Sequence, residues 1–438
     1  MLLQLQLPGR GFNLLSRTGQ NPPGSLTPAG DTHTRRLQTF SALKNRNFRY
    51  LWISGAFIGG GNQVQQIALG WLVFQLTDSA FWVGTVLGIR ALPILLVGPL
   101  AGVAIDRWDR KKLFLLAQVF LVVTAFLFAV DVALDRVTMV HALVFSFLLG
   151  LDASIIQPLR QALVVNTVPP HDLTNAIALN NAANGILQST APLISGVLIA
   201  TLGVAGNFFV QSAAYLMVFL ITLPMGTPYR EGTKDSGSVL KSFAEGLRYI
   251  RSDTTILLLI VLVFVPSLFI HSTQNLLSVF AVDVLRGGPL VLGLLGACMG
   301  VGSLTATLAI ASLGNFQSRG RVVIGALLLV TICLALFGLS SRLGLSLALM
   351  GLMGFFNTGF RLANNALFQS RTPDHLRGRI TSMYVVDHGF QPVGSLILGL
   401  LAAEGALGPQ RAVFLAGVAA FAITAFIGLR FRHLWRLQ

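Results

Sequence analysis

The chain has few charged residues and few cysteines, and both shortages exclude classes of protein. Only 11% of its 438 residues are charged, whereas 54% are hydrophobic. This leaves too little polar surface to solvate a water-soluble globule, so the composition predicts an integral membrane protein with many spans. The two cysteines, Cys298 and Cys333, lie in apolar stretches, which argues against a disulfide framework or a cysteine zinc site.

The motifs of ATP-driven pumps and of common membrane hydrolases are also missing. The sequence contains no GxxxxGK[ST] phosphate loop, no HExxH zinc motif and no GxSxG nucleophile. We therefore expect no enzyme, no cofactor and no metal, and any transport would be secondary. The net charge is +15, but orientation in anionic lipid explains it better than nucleic acid, because most Lys and Arg fall on one predicted face.

Apolar segments of bilayer-spanning length recur along the chain in two groups of six. They lie near residues 50–76, 82–104, 113–132, 138–160, 174–201 and 206–225, and near 254–283, 288–312, 320–340, 343–366, 380–402 and 410–430. The predicted fold is therefore an all-α membrane protein with twelve transmembrane helices in two bundles.

Loop charges predict the orientation of these helices. With a cytoplasmic N-terminus, the only loop cations outside are Arg136, Arg286, Arg342 and Arg411. Positive-inside bias then places both termini in the cytoplasm and the protein in the cell membrane. The predicted parts are a flexible tail at 1–43, bundles at 44–226 and 254–430, a cytoplasmic linker with an interfacial helix at 227–253, and a short basic tail at 431–438. A transit peptide is the alternative for the acid-poor first segment.

The two bundles also resemble each other in sequence. QALVVNTVPPHDL, starting at Gln161, aligns with NALFQSRTPDHL, starting at Asn365, and the offset from Ala162 to Ala366 is 204 residues. This repeat predicts pseudo-symmetric six-helix halves, as parallel repeats characterise one transporter architecture.

A glycine-rich apolar run ends in a basic loop, GPLAGVAIDRWDRKK, which starts at Gly98. It resembles the loop between helices 2 and 3 of major facilitator superfamily transporters, with Asp109 in place of the second glycine. The resemblance implies that Asp106 holds a closed inner gate against Arg160 at the end of helix 4. The residues assigned to this gating motif are Gly98, Gly102, Asp106, Arg107, Asp109, Arg110, Lys111 and Arg160.

Four further stretches resemble one branch of that superfamily, the exporters of drugs, macrolides and enterobactin-type siderophores. They are NRNFRY from Asn45, PLRQAL from Pro158, EGLRYI from Glu245 and LRGR from Leu376. Their order and topological positions match the branch. The resemblance implies efflux by alternating access, coupled to protons.

Polar side chains inside the predicted spans mark a candidate substrate cavity, because they are costly in hydrocarbon unless they face a partner or water. They gather on helices 1, 4, 7 and 10, which the resemblance implies line the central cavity. The candidates are Asn62, Gln63, Gln66, Asp152, His271, Gln274, Asn275, Asn357 and Arg361. Helix packing is the alternative role for the amides.

Three titratable residues are candidates for proton coupling: Asp152, His271 and Asp387. Asp152 has no cation on its own helix face, so protonation would ease its burial; a hydrogen-bonded structural carboxyl is the alternative. From their depths, Arg361 and Asp387 could meet, about 15 and 12 Å from the cytoplasm. Arg90 and Asp131 are a further expected pair, in the outer third of the membrane.

These observations predict a secondary active transporter that exports amphiphilic or lipophilic small molecules, as a proton antiporter. The alternatives are a lysophospholipid or lipid flippase and a non-transporting membrane sensor or scaffold. The expected partners are the lipid bilayer, a small-molecule substrate and protons, and the expected oligomeric state is a monomer.

Overall fold

The computed structural model describes residues 41–94, 96–98, 105, 108–169, 172–226, 253–313, 318–371, 391, 393–403 and 406–437. These residues form helices joined by short turns, and no strand occurs among them. The all-α prediction is confirmed. Residues 1–40, most of the linker, and Gly102, Asp106, Arg107 and Asp387 lie outside the described part.

The N-terminal half contains helices α1 to α6. Its first four are α1 (Arg46–Thr77), α2 (Ala80–Ile89, followed by a turn at Arg90), α3 (Arg110–Ala133) and α4 (Met139–Thr167). The stretch Leu173–Thr222 is interrupted at Gly203, whose φ is 73°. We call the part before Gly203 α5 and the part after it α6. Because glycine adopts positive φ without steric cost, Gly203 permits the chain to reverse there.

The C-terminal half contains helices α7 to α12. Helix α7 is a series of short segments, Thr254–Val265, Pro266–His271, Ser272–Asn275, Leu277–Val279 and Phe280–Val284, of which the second and fifth are π-helical. Pro266 lacks an N–H, which disrupts regular α-helical hydrogen bonding at that point. The remaining helices are α8 (Pro289–Leu313), α9 (Arg319–Leu339), α10 (Leu343–Arg371), α11 (Val393–Ala402) and α12 (Gly408–Arg430).

Within the described residues, nine helical stretches are long and apolar enough to cross a membrane, and one of them contains both α5 and α6. Helix α1 is not among them, because its GGGNQVQQ segment lowers its hydropathy. Helix α11 is described over too short a length to count. The total of twelve spans therefore stays a prediction.

The helices alternate in direction, so their ends form two faces. The basic face carries the starts of α1, α3, α5, α7 and α9 and the cations Arg46, Lys111, Arg319, Arg371 and Arg430. The opposite face carries the turns at Asp78, Asp135 and Arg286. The names describe the charge of each face and do not specify which face is cytoplasmic.

The packed bundle begins before α1. Ser41–Lys44 forms a short 3₁₀ turn. The Ser41 hydroxyl donates a hydrogen bond to Asp172 (2.7 Å), and the Ala42 N–H donates one to the Asn175 side chain (3.1 Å). These contacts fix the start of the described chain against the beginning of α5.

Candidate functional site

Among the described residues, the two halves approach closely along α5 and α8, from the middle of these helices toward the opposite face. A Cβ atom at Gly300 would lie 2.1 Å from the Cα of Ser189, and one at Gly196 would lie 2.9 Å from the Cα of Gly293. At such distances the backbones of α5 and α8 are in direct contact. Only glycine allows this approach.

Helices α2 and α11 form a second close contact between the halves, also near the opposite face. A Cβ atom at Gly84 would lie 2.4 Å from the carbonyl oxygen of Ser395, and one at Gly399 would lie 3.0 Å from that of Ala80. Gly84 is in the first turns of α2 and Gly399 near the end of α11, so both mark the same membrane level.

Hydrogen bonds join the halves between these two seams. Gln66 of α1 donates from Nε2 to Oδ1 of Asn275 of α7 (2.7 Å). Asn275 donates from Nδ2 to the Ser395 hydroxyl of α11 (2.7 Å), which donates in turn to the carbonyl of Gln391 (3.0 Å). Asn275 is buried. Two predicted cavity residues, Gln66 and Asn275, therefore bond to each other across the interface.

The apolar core also differs between the two faces of the bundle. One cluster of buried side chains joins the two halves and includes, from the N-terminal half, residues near the opposite face such as Leu72 and Val83. A separate cluster near the basic face, which includes Phe48, Leu113 and Leu163, contains N-terminal-half residues only. Among the described residues, the contacts between the halves thus lie toward the opposite face, and at the basic face the described N-terminal-half residues form a core cluster of their own.

Arg361 is exposed about 15 Å from the basic-face end of α10, ten residues before Arg371. Asn357, Asn364 and Phe368 lie within about 60° of it around the helix and are buried. Leu352, on the other side of the helix, is 46% exposed and has the lipid-facing position. Arg361 therefore lies on the side of α10 that carries buried polar residues, away from the lipid-facing side. It makes no ion pair or hydrogen bond with another described residue.

The other C-terminal candidates differ in their contacts. His271 Nδ1 and Gln274 Nε2 are 3.3 Å apart, one turn along α7. Asn357 is 4% exposed, and its Oδ1 has no hydrogen-bond partner in the described part of the chain. Asn364 donates to the carbonyl of Leu259 (3.3 Å) and so joins α10 to α7.

In the N-terminal half, Asn62 takes part in a buried hydrogen-bond chain. Its Oδ1 accepts a bond from the Tyr215 hydroxyl (2.8 Å), which accepts one from Gln211 Nε2 (3.0 Å). Tyr215 is completely buried. Gln63, the next residue of α1, is half-buried and has no such bond among the described residues.

Asp152 lies beside this chain, where α4 packs closely on α2. A Cβ atom at Gly150 would lie 2.2 Å from the carbonyl oxygen of Arg90, so glycine brings the two helices together. Asp152 is 6% exposed and interacts electrostatically with Arg90 and Tyr215. Its Oδ1 accepts no hydrogen bond from any residue that the structure describes. Asp152 is thus a buried carboxyl group near the Arg90 cation, and within the described part of the chain one of its two oxygens accepts no hydrogen bond.

The predicted pairing of Arg90 with Asp131 is wrong. Asp131 pairs instead with His141 at the start of α4, with 2.6 Å between Oδ2 and Nδ1. Arg90 interacts with Asp152. Depth along a helix gave the level of each charge, whereas the partner depends on the direction in which each side chain points. Arg90 and Tyr215 are thus site residues that sequence reasoning did not assign.

The described part of the gating motif stabilises helix ends. Asp109 accepts a bond from the Lys112 N–H (3.0 Å) and caps α3, which begins at Arg110. Lys111 donates to the carbonyl of Leu223 (2.8 Å) at the end of α6. A Cβ atom at Gly98 would have no neighbour within 4 Å among the residues that the structure describes.

Arg160 contacts two other helices of the N-terminal half. Its guanidinium donates to Asn180 of α5 (3.4 Å) and lies over Gly55 of α1, where a Cβ atom would collide with it. The expected pair with Asp106 falls outside the described residues.

Among the described residues, no group of His, Cys, Asp and Glu side chains could hold a metal ion. Cys298 and Cys333 are both free thiols.

Known proteins resemble this chain over most of its length. Staphyloferrin A transporter of Staphylococcus aureus is 25% identical over 86% of this chain and 94% of its own. Multidrug efflux pump Tap of Mycolicibacterium fortuitum is 25% identical, with coverage of 82% and 89%. Enterobactin exporter EntS of Escherichia coli is 24% identical, with coverage of 75% and 79%.

Solved structures share the fold. A bacterial homologue of the human lysosomal transporter Spinster, in an inward-facing and unoccupied conformation, has a TM-score of 0.70 at 13% identity, covering 89% of this chain and 97% of that one. The D-xylose–proton symporter has a TM-score of 0.64 at 14% identity, with coverage of 90% and 97%. Residues 37–435 match the family described as transmembrane secretion effector. The chain therefore belongs to the transmembrane secretion effector family of major facilitator superfamily transporters, and it is a multi-pass membrane transporter rather than an enzyme.

Proposed function

We propose that the protein is a proton-coupled exporter of amphiphilic or lipophilic small molecules in the cell membrane, with both termini in the cytoplasm. The basic face is then cytoplasmic, in accord with the positive-inside rule. The observation that carries the proposal is the asymmetric interface, in which the described contacts join the halves at the opposite face. This arrangement suits a transporter whose substrate site is accessible from the cytoplasm or inner leaflet.

In this proposal, Arg361 faces the substrate site, a space inside the bundle. Asn357 offers a buried amide one turn deeper, and His271, Gln274 and Gln63 are half-buried. Amide and apolar groups with few fixed charges suit an amphiphilic ligand. The relatives named as multidrug and siderophore exporters support small-molecule export.

Asp152 is the proposed proton site. A carboxylate near the centre of the membrane needs a cation, a hydrogen bond or a proton, and among the described residues Asp152 has a nearby cation but no hydrogen-bond donor for one oxygen. Binding a proton from outside would neutralise it while the opposite face is open, and release toward the cytoplasm would follow after closure. Each proton that moves inward would drive substrate outward.

The test is gradient-driven flux in proteoliposomes. A fluorescent lipophilic cation and a panel of macrolides are the probes, and an imposed pH gradient is the driving force. Asp152→Asn should abolish uphill flux while downhill exchange continues. Asp131→Asn is the matched control, since Asp131 pairs with His141 at the membrane edge.

Each other outcome has a definite meaning. If Asp152→Asn keeps uphill flux, the proton assignment fails, and His271 and Asp387 become the next sites to substitute. If no probe moves, siderophores and fluorescent lysophospholipids follow, and transport of the latter would establish a flippase. Binding of probes without flux of any of them would indicate a sensor or scaffold.

A further inference from the structure

A cavity of about 330 Å³ lies on the basic face, away from the substrate space. It sits between the start of α9 and the end of α12, and its lining is Arg321, Gly428, Leu429, Arg432 and Trp435. None of these residues belongs to the pathway described above.

The C-terminal segment that closes this cavity is firmly attached. Arg432–Arg436 forms a 3₁₀ turn, and the Trp435 indole donates to the carbonyl of Gly428 (2.9 Å). The Gly320 N–H at the start of α9 donates to the carbonyl of Leu437 (3.0 Å). Leu434 is 1% exposed. The predicted basic tail is therefore a folded part of the bundle, and the cavity is preformed.

The cavity is strongly cationic. The side chains of Arg321 and Arg432 are exposed and have no ion pair or hydrogen bond within the described part of the chain. Helix α9, helix α12 and the 3₁₀ turn contain no acidic residue. Two guanidinium groups thus share one site with no anion of the same elements to neutralise them.

The position of the cavity matches the headgroup region of a bilayer. Arg321 is the third residue of α9, and Arg432 follows the end of α12 by two residues. Tryptophan is enriched at this level of membrane proteins. Leu429 lines the cavity and is 71% exposed, and Phe426, one turn away on α12, is 66% exposed. The cavity therefore opens directly onto the apolar surface that faces lipid chains.

We propose that this cavity binds the headgroup phosphate of an anionic phospholipid. Arg321 and Arg432 donate hydrogen bonds to the phosphate oxygens, Trp435 lies beside the glycerol, and Leu429 and Phe426 contact the acyl chains. Basic pockets between helices at a membrane surface have the charge and shape for such lipids. The apolar rim selects a lipid over a free phosphate. The proposal does not depend on which face is cytoplasmic.

Native mass spectrometry of the full-length protein in detergent tests the site. The probes are phosphatidylglycerol and phosphatidylcholine, added in equal amounts to delipidated protein. Wild type should retain phosphatidylglycerol preferentially, and Arg321→Gln with Arg432→Gln should lower that retention about thirtyfold, since each of the two lost cations contributes about 1 kcal/mol toward an anionic lipid. Arg342→Gln with Arg411→Gln is the control, because it removes the same charge from the opposite face.

The remaining outcomes decide against the proposal. If retention of phosphatidylglycerol falls equally in both double variants, net charge and not this cavity holds the lipid. Equal retention of the two lipids by wild type would exclude anionic selectivity. Competition by millimolar glycerol 3-phosphate as effective as by the lipid itself would identify a soluble phosphate as the ligand. Trp435→Phe, which keeps both arginines and loses the bond to Gly428, should weaken retention less than the double variant does.

Discussion

Gln66 and Asn275, which lie 209 positions apart in the sequence, form a 2.7 Å hydrogen bond that joins the two halves. Both belong to helices with several intramembrane amides. In an alternating-access cycle this bond must break when the opposite face opens. It therefore contributes free energy to one of two states rather than to folding alone.

Gln66→Leu should favour opening at the opposite face. The variant loses one neutral hydrogen bond and leaves Asn275 Oδ1 without its donor, although Asn275 Nδ2 keeps its bond to Ser395. This costs about 1–3 kcal/mol in the closed state alone. Pulsed EPR would measure the distance between spin labels at Asp135 and Arg342, both exposed in opposite-face turns, after Cys298 and Cys333 are replaced by alanine. The fraction of molecules with the longer distance between the two labels should rise. Gln63→Leu is the control, and an equal rise there would attribute the effect to polarity rather than to the bond.

Gly300→Val should force the halves apart. The added Cβ would lie 2.1 Å from the Ser189 backbone, which no side-chain rearrangement relieves. Overpacking of this kind costs about 1–3 kcal/mol or more. The same labels should report a longer distance, and transport should be lost. Gly325→Val is the control, since nothing lies within 4 Å of its Cβ position. A normal distance distribution in Gly300→Val would contradict the close approach of α5 and α8.

Arg361→Gln should weaken binding of anionic amphiphiles selectively. A hydrogen bond to a charged group contributes about 1.5–3 kcal/mol, so the dissociation constant of a carboxylate should rise about tenfold or more. Fluorescence titration with 11-(dansylamino)undecanoate and its uncharged amide measures this difference. Arg371→Gln, at the end of the same helix, is the control. If acid and amide lose affinity equally, Arg361 does not bind the anionic group.

Arg90→Leu should destabilise the protein more than Arg90→Leu combined with Asp152→Asn. Removal of the cation alone leaves a buried carboxylate uncompensated, which costs about 3–5 kcal/mol, whereas the double variant removes both charges. Thermal unfolding in detergent would compare the single and double variants. If the loss of stability in the double variant equals the sum of the losses in the two single variants, Arg90 and Asp152 are energetically independent.

The sequence predicted the fold well because membrane helices are specified locally. Long apolar runs gave α3 and the start of α4 nearly as observed, whereas α4 continues to Thr167, beyond its predicted end at residue 160. The boundary between α5 and α6 falls at Gly203 within the predicted gap. The irregular course of α7 was not predicted. Pro266 signals a disturbance there, but its π-helical form depends on the packing of neighbouring helices.

The sequence indicated several of the residues that the structure brings together, but not which of them are paired. Gln66 and Asn275 were both candidates, yet sequence alone gives no rotation of one helix against another. For the same reason Asp152 seemed to lack a cation, whereas Arg90 approaches it from α2 because Gly150 lets the helices touch. Conversely, Asp109 departs from the superfamily pattern but caps α3, a role that its position before a basic helix start could have indicated.

The seams between the halves are made largely of main chain. At Gly196 and Gly293, and at Gly84 and Ser395, the atoms nearest the glycine Cβ position belong to the backbone of the other half. Main chain has no rotamers to rearrange, so at these points the halves can part and close again without side-chain repacking. The apolar side chains of the shared core, which include Leu72 and Val83, must separate as well, and their exposure adds a free-energy cost to opening of the opposite face.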